Sequence, residues 1–219
     1  MKKADERQRE RIWLAEELAT QGIRDERILE SIRSVPRHLF VPSEQVDYAY
    51  YDMPLAIGLG QTISQPFIVA LMIDALQTRP EDRVLEIGTG SGYAAAVLSR
   101  LVERVYTIER HAKLAKEAGE RFAALQYVNI TPRVGDGSKG WPEDSPFDGI
   151  IVAAAGPVVP LSLKEQLAVG GRLVIPTGEK GQQKLLRVLR ISKEEYQEET
   201  LCHVRFVPLI GEEGWEDRR

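Results

Sequence analysis

The chain has 219 residues, 43% hydrophobic and 28% charged, a balance that fits one or two globular domains able to bury a full core without disulfides or a structural metal. Lys and Arg number 29 against 33 Asp and Glu, and the resulting charge of −4 argues against nucleic acid as the partner, because phosphate-backbone binding leans on a basic face. A single cysteine, Cys202, excludes an intramolecular disulfide, and His38, His111 and His203 form no metal-spaced pair, so no metal site is expected.

The first residues, MKKADERQRERIWLAEEL, are charged throughout and hold no apolar core for a signal peptide. Ile150 to Ala155 is the longest apolar run, far short of the roughly 20 residues that span a bilayer. The expectation is a cytoplasmic monomer with no membrane partner. Ala4 to Ala19 has helical spacing of Ile12, Leu14, Ala15, Leu18 and Ala19, and Gly22 ends it. Asp25 caps a second helix with Ile28, Leu29, Ile32 and Val35 on its apolar side, stopped by Pro36. A long segment through Phe40 to Leu59 shows little periodicity, and such segments in compact domains are commonly functional. A third helix is expected over Pro66 to Leu76.

From about Pro80 the chain alternates strand and helix. Strands are expected over Arg83 to Ile87, Arg104 to Ile108, Val128 to Arg133, Gly149 to Ala153 and Arg172 to Ile175. Helices are expected over Gly92 to Leu101, His111 to Leu125 and Pro160 to Ala168. Lys184 to Ile191 and Leu201 to Val207 read as a final antiparallel pair around the polar turn SKEEYQEET. This order predicts an α/β, Rossmann-like fold: a mostly parallel sheet of about seven strands with helices on both faces and an N-terminal helical extension. Residues 1–79 form the helical, substrate-covering segment and 80–219 the ligand-binding domain, together one compact unit.

Glu86-Ile87-Gly88-Thr89-Gly90-Ser91-Gly92 lies where the first strand of that sheet turns into a helix, and ligands of open α/β sheets bind beyond such strand ends. Tyr93 stands where the dinucleotide pattern G-x-G-x-x-G needs a third glycine, which disfavours pyrophosphate cradling. Glu109 ends the second strand, where a carboxylate can accept from two ribose hydroxyls; a surface strand-end charge is the alternative. Asp136 follows the third strand between Gly135 and Gly137, as an Asp-Gly turn or as a ligand-facing acid. Glu86 sits inside an apolar run, so its carboxylate needs a partner, and a ligand cation would serve. Three acids with no Lys or Arg in the loop suit a cationic adenosine compound such as S-adenosylmethionine, whose one carboxylate a helix N-terminus could receive.

GQTISQP at 60–66, with VLEIGTGSGY, GDG, PFDGIIVAAA, QLAVGGRLVIPTG, and the flanking VPRHLFVP, AYYDMPLAIG and VRFVPLIG, resembles the protein-L-isoaspartate O-methyltransferase family over about Val35 to Trp215. GQTISQP is the specific block; VLEIGTGSG is shared by many methyltransferases. The resemblance implies methyl transfer from S-adenosylmethionine, leaving S-adenosyl-L-homocysteine, to the free α-carboxylate of L-isoaspartyl residues in damaged proteins. The ester then closes to a succinimide without the enzyme, and its hydrolysis returns some normal aspartyl linkage. It also implies Ser64 as the catalytic residue. The implied cofactor-binding residues are Gln61, Thr62, Ile63, Glu86, Gly88, Gly90, Gly92, Glu109, Asp136 and Gly137. The family's final strands are reordered relative to other methyltransferases.

An α-carboxyl, with a pKa of about 3.5, is ionised at neutral pH, so this chemistry needs placement rather than a general base. Ser64 can donate one hydrogen bond to that carboxylate, although its spacing alone reads as the N-cap of the helix after it. Tyr50 and Tyr51 can supply substrate contacts, or simply pack the N-terminal helices onto the sheet. Two other readings share the glycine loop: a methyltransferase acting on RNA or a small molecule, and a nucleotide-binding module without catalysis.

Overall fold

The computed structural model describes residues 2–179 and 181–217. Helix α1 (Lys2–Thr20) reverses through Gly22, at φ 110°, into α2 (Glu26–Ser34). The Asp25 carboxylate accepts from the Arg27 N–H at 2.9 Å and caps α2, as its position before the apolar run predicts. Ile28, Leu29 and Ile32 are buried in one cluster with Leu14, Ala15 and Leu18 of α1.

The segment expected to lack regular structure is more ordered than that. Two 3-10 turns, Arg37–Leu39 and Ser43–Tyr48, lead into a hairpin of β1 (Leu55–Gly58) and β2 (Gln61–Ile63), paired antiparallel. Gly58, Leu59 and Gly60 turn the hairpin with φ of 90°, 52° and 71°. Strands this short leave no alternation to read, which is why the sequence conceals them. Helix α3 (Pro66–Leu76) follows, with Pro66 in its first turn and its apolar side buried.

The main sheet begins at β3 (Arg83–Ile87), continues through α4 (Tyr93–Leu98), β4 (Arg104–Glu109), α5 (Ala112–Ala124), β5 (Ile130–Val134) and β6 (Phe147–Val152), and then α6 (Leu161–Glu165), β7 (Leu167–Thr177), β8 (Gln183–Arg190) and β9 (Tyr196–Val204). Seven strands lie in the order β5-β4-β3-β6-β7-β8-β9. The first five of these are parallel, and β8 and β9 add antiparallel in chain order. The fold is the predicted α/β, Rossmann-like arrangement. Strand alternation sends Val84 and Val105 to one face, with the helices α1 to α4, and Leu85, Ile108 and Ile150 to the other, with Trp141, Phe147 and Leu163. Both faces are covered at the centre of the sheet, so β3, β4 and β6 are buried at nearly every position.

Several boundaries differ from the sequence expectation: β5 starts two residues later, β6 two residues earlier and β9 ends at Val204 rather than Val207, and four other differences have a clear physical cause. Helix α4 ends at Leu98, because the Ser99 hydroxyl donates to the Ala96 carbonyl at 2.7 Å and the chain tightens into i+3 turns. Helix α6 is short because Gln166 turns into the sheet: its carbonyl accepts from the Phe147 N–H at 2.8 Å, and its side chain bonds Trp141 N–H and the Lys139 carbonyl. Gly170-Gly171 is not a turn before a strand but an irregularity inside β7, where a Cβ on Gly171 would meet the Ala168 and Asp148 carbonyls at 2.9 Å. The stretch Lys193 to Glu199, expected as a turn, is half strand: β9 starts at Tyr196 and its polar residues form a charged, exposed edge.

Leu14 and Leu18 of α1 belong to the same buried cluster as Val84 and Val105 of the sheet. Leu18→Ala is therefore expected to destabilise the whole fold by about 2–5 kcal/mol. Urea unfolding should show one transition, shifted as a unit, by far-UV circular dichroism and by tryptophan fluorescence. A separate early transition would show the N-terminal helices melting alone.

Candidate active site

The crevice opens where sheet order reverses, beyond the ends of β3, β4 and β6. The chain leaves β3 through Gly88, Gly90 and Gly92, with φ of 93°, 53° and 91°. This backbone is open only to glycine without strain, and a Cβ on Gly92 would also strike the Phe122 ring at 2.7 Å. The β1–β2 hairpin leans over the loop, Ile57 Cδ1 lying 3.3 Å from where a Gly90 side chain would start. Gly137 approaches from the third strand end, where a Cβ would fall 2.3 Å from Ile87 Cγ2.

Glu109 is buried rather than displayed at the surface. Its carboxylate accepts from the Gly90 N–H and from the His111 N–H, each at 2.9 Å, so it pins the glycine loop to the exit of β4. Each oxygen keeps a further lone pair for a ligand hydroxyl. Glu86 lies deeper, 1% exposed, and accepts from the Thr107 hydroxyl at 2.5 Å; Thr89 and Thr107 share a hydrogen bond of 2.6 Å. Burial pushes the Glu86 carboxyl up to about 8, against the Thr107 hydrogen bond and with added repulsion from Glu109. No cation pairs with it among the described residues.

Two adjoining cavities share Thr62, Gly88, Gly90 and Ala153. The larger, about 620 Å³ of space that opens to solvent, is lined by Gln61, Glu109, His111, Gly137 and the chain's late segment Val207 to Ile210. The smaller, about 330 Å³, is lined by Ile63, Ser64, Glu86, Ser91 and Tyr93. An orphaned buried Nε2 of His111, the uncompensated Glu86 and a glycine floor fit a ligand carrying a cation at one end and polar ring atoms at the other, as S-adenosylmethionine does.

Ser64 is half-buried, and its hydroxyl forms no hydrogen bond among the described residues. It is not the cap of α3. That position is Gln65, which makes no side-chain cap, and Asp52 instead accepts from the Phe67 N–H at 2.8 Å. Gln61, Thr62 and Ile63 precede Ser64 on β2 and face the same two cavities. Asp136 sits near this edge, but its carboxylate is engaged elsewhere: it accepts from Ser138 N–H and hydroxyl and from the Glu212 N–H at 2.8 Å. Burial raises that carboxyl, but these donors outweigh it and hold it below its ordinary range. Asp136 therefore clasps the C-terminal tail, and Gly137 rather than Asp136 lines the cleft. Gly211 permits the clasp, since a Cβ there would lie 2.0 Å from Asp136 Oδ1. Tyr50 is buried, its hydroxyl 2.6 Å from His38 Nδ1, so it packs the fold; Tyr51 is exposed, its ring tilted against that of Tyr48.

Sequence reasoning missed Arg37, Asp52, Thr107, His111 and the late segment over the cleft. Arg37 offered a signal, a cation amid Val35, Leu39 and Phe40; Val207 to Ile210 stood in the VRFVPLIG block of the resemblance, but its return over the cleft depends on non-local contacts.

The parallel sheet, glycine loop and acid-lined crevice are those of a Rossmann-like protein that binds a nucleoside-bearing ligand. The family model for protein-L-isoaspartate(D-aspartate) O-methyltransferase matches residues 9–214. A protein-L-isoaspartate O-methyltransferase of Pelotomaculum thermopropionicum is 57% identical over 215 residues, 98% of this chain and 93% of that one. One from Roseiflexus sp. (strain RS-1) is 54% identical, covering 96% of each chain. A solved structure of an enzyme of that name superposes with TM-score 0.86 at 31% identity, over 93% of this chain and 67% of the other. A Plasmodium falciparum structure given the same enzyme name, and holding S-adenosyl-L-homocysteine, has TM-score 0.79 at 26% identity, over 91% of this chain and 98% of that one. The chain belongs to the protein-L-isoaspartate O-methyltransferase family.

The buried Glu86 makes a testable statement about pH. The folded carboxyl keeps its proton up to about 8, while the unfolded one releases it near 4.5. Between those values the folded state binds the extra proton, so this group's contribution makes stability fall as pH rises through the window and level off above it. Glu86→Gln is expected to gain stability relative to the parent on going from about pH 5 to about pH 8.5, read by urea unfolding without ligand. An equal difference at both pH values overturns the raised carboxyl.

Proposed function

We propose that the chain transfers the methyl group of S-adenosylmethionine to the free α-carboxylate of L-isoaspartyl residues in damaged proteins and peptides, the first step of their repair through a succinimide. The observation that carries this reading is the uncommitted hydroxyl of Ser64, in a cavity shared with buried Glu86 and continuous with the cleft of Glu109. S-adenosylmethionine supplies an electrophilic methyl carbon when bound. The remaining work belongs to the chain. Glu86, protonated at neutral pH in the free fold, would give up its proton beside the cofactor ammonium and so supply a buried counter-charge. Glu109 offers its free lone pairs to the ribose hydroxyls, and Gly137 and the late segment close over the base side of the cleft. Ser64 donates to the acceptor carboxylate and holds it toward the methyl group.

No base is needed, because the acceptor is already an anion at neutral pH. The catalytic demand is orientation and exclusion of water, which apolar walls from Ile63, Val69 and Tyr93 serve. The exposed Tyr48 and Tyr51 lie on the irregular segment leading to the hairpin and are our assignment for tolerant contacts with the flanking peptide; Tyr50 is not. Among the described residues no helix is long and apolar enough to cross a membrane. The reading takes the enzyme as a cytoplasmic monomer, which sedimentation and fractionation test directly.

Labelled S-adenosylmethionine incubated with matched isoaspartyl and aspartyl peptides is expected to leave base-labile label only in the isoaspartyl peptide. Label in neither peptide, or equally in both, overturns the reading. Ser64→Ala removes one hydrogen bond to a charged group, about 1.5–3 kcal/mol, and is expected to slow methyl transfer roughly 10- to 150-fold. S-adenosyl-L-homocysteine affinity, read by calorimetry, should stay within a few-fold. Unchanged turnover would remove Ser64 from the mechanism.

A further inference from the structure

Arg37 is fully buried, and no ion pair with a carboxylate joins it among the described residues. Its guanidinium instead bridges two backbone carbonyls: Nε donates to Ala49 O at 2.8 Å and Nη2 to Ser64 O at 2.9 Å. Its plane lies over the Tyr93 ring, 4.7 Å from the centroid, at the first residue of α4. Nη1 makes no hydrogen bond of good geometry and neither does the Tyr93 hydroxyl, although the two groups attract each other. Burial draws the group down to about 10, so it is still a cation at neutral pH. A buried, incompletely paired cation weakens a fold compared with an apolar residue of similar volume. It also satisfies the buried Ala49 carbonyl, so its removal touches stability as well as geometry, and activity must be read apart from folding. What only an arginine does here is to hold two carbonyls in a fixed fork, and one of them belongs to Ser64.

We infer that Arg37 is a positioning residue for methyl transfer: its fork clamps the Ser64 carbonyl to the Ala49 carbonyl and so sets where the Ser64 hydroxyl stands in the acceptor cavity. The inference rests on the proposed role of Ser64. Asp52 completes the arrangement from the other side. By capping α3 through the Phe67 N–H, it leaves Ser64 free of that task. Ser64 follows the paired Ile63, its own carbonyl is clamped and the helix after it is capped, so its backbone is held on both sides while its hydroxyl stays available. Tyr93, which lines the same cavity, is stacked on the guanidinium and keeps the fork in register with the glycine-loop helix. A lysine cannot reproduce this, because one ammonium on a flexible stem does not hold two carbonyls in a plane.

The test is a double-mutant cycle of Arg37→Gln with Ser64→Ala, read as kcat and KM on an isoaspartyl peptide and as S-adenosyl-L-homocysteine affinity by calorimetry. Expected are a loss of at least about ten-fold in kcat for Arg37→Gln, homocysteine-product affinity within about three-fold of the parent, and less than about two-fold further loss when Arg37→Gln is added to Ser64→Ala. A residue that only supports the fold would lower activity by the same factor in both backgrounds. Multiplying effects, parent-like kcat, or a loss of product binding in step with kcat overturns the inference. Where Arg37→Gln does not fold, the same cycle is run with Arg37→Lys, with the same expectations. A parent enzyme inactive on the isoaspartyl peptide overturns the proposed function, and this inference with it, whereas an active parent with a multiplying cycle sinks this inference alone.

Discussion

The carboxylate of Glu109 ties together the parts on which the crevice depends. One oxygen takes the Gly90 N–H and the other the His111 N–H, so the glycine loop after β3 and the start of α5 are fixed to one point at the end of β4. A buried carboxylate is tolerated there because backbone donors satisfy it. Behind it, Thr107 and Thr89 form a chain of hydroxyls that ends on Glu86. The loop geometry, the depth of the cleft and its negative character follow from this one network. The network is incomplete at Glu86, where the fold accepts an acid without a cation, and that shortfall is what suits the crevice to a cationic ligand.

The acceptor side is built on a different principle. The sheet supplies regular strand ends, but Ser64 stands on an irregular run of 3-10 turns and a short hairpin. Such a run needs side chains to hold its backbone, since it has few ladder hydrogen bonds of its own. Asp52 and Arg37 do this at neighbouring positions, one on an N–H and one on a carbonyl. A reactive hydroxyl thus sits on a segment whose sequence tolerates glycine and aromatic residues, while its backbone is restrained to the precision that orientation chemistry requires.

The parallel sheet was legible because its strands are apolar on both faces and end at glycines or acids, and the acids of the crevice were legible because Glu86 stood out against Val84 and Ile87. Boundaries were harder to read where a side chain rather than periodicity ends an element. Gln166 stops α6 by turning into the sheet, and Ser99 tightens the end of α4, and neither leaves a mark in the hydrophobic pattern. Polarity misled at Tyr196 to Thr200, since an edge strand exposes both faces and reads as a turn. Asp136 illustrates the same limit within the site: its place between glycines marks a strand end, but only the returning tail determines what its carboxylate bonds.

By itself the amino-acid sequence determined the alternation of strand and helix, the glycine loop, the identities of the acids beyond the strand ends and the block around Ser64. All but the last are local properties: periodicity, conformational freedom at glycine, and the cost of a charge in an apolar run; the block around Ser64 was legible only through its resemblance to the family. Tertiary structure alone decided which donors reach those acids, that Asp52 rather than Ser64 caps α3, that Tyr50 is inside and Tyr51 outside, and that a buried guanidinium grips the Ser64 carbonyl. Each of these depends on groups distant in the chain meeting within hydrogen-bond range, where a partner's direction and its exclusion from water, not its residue type, set the outcome.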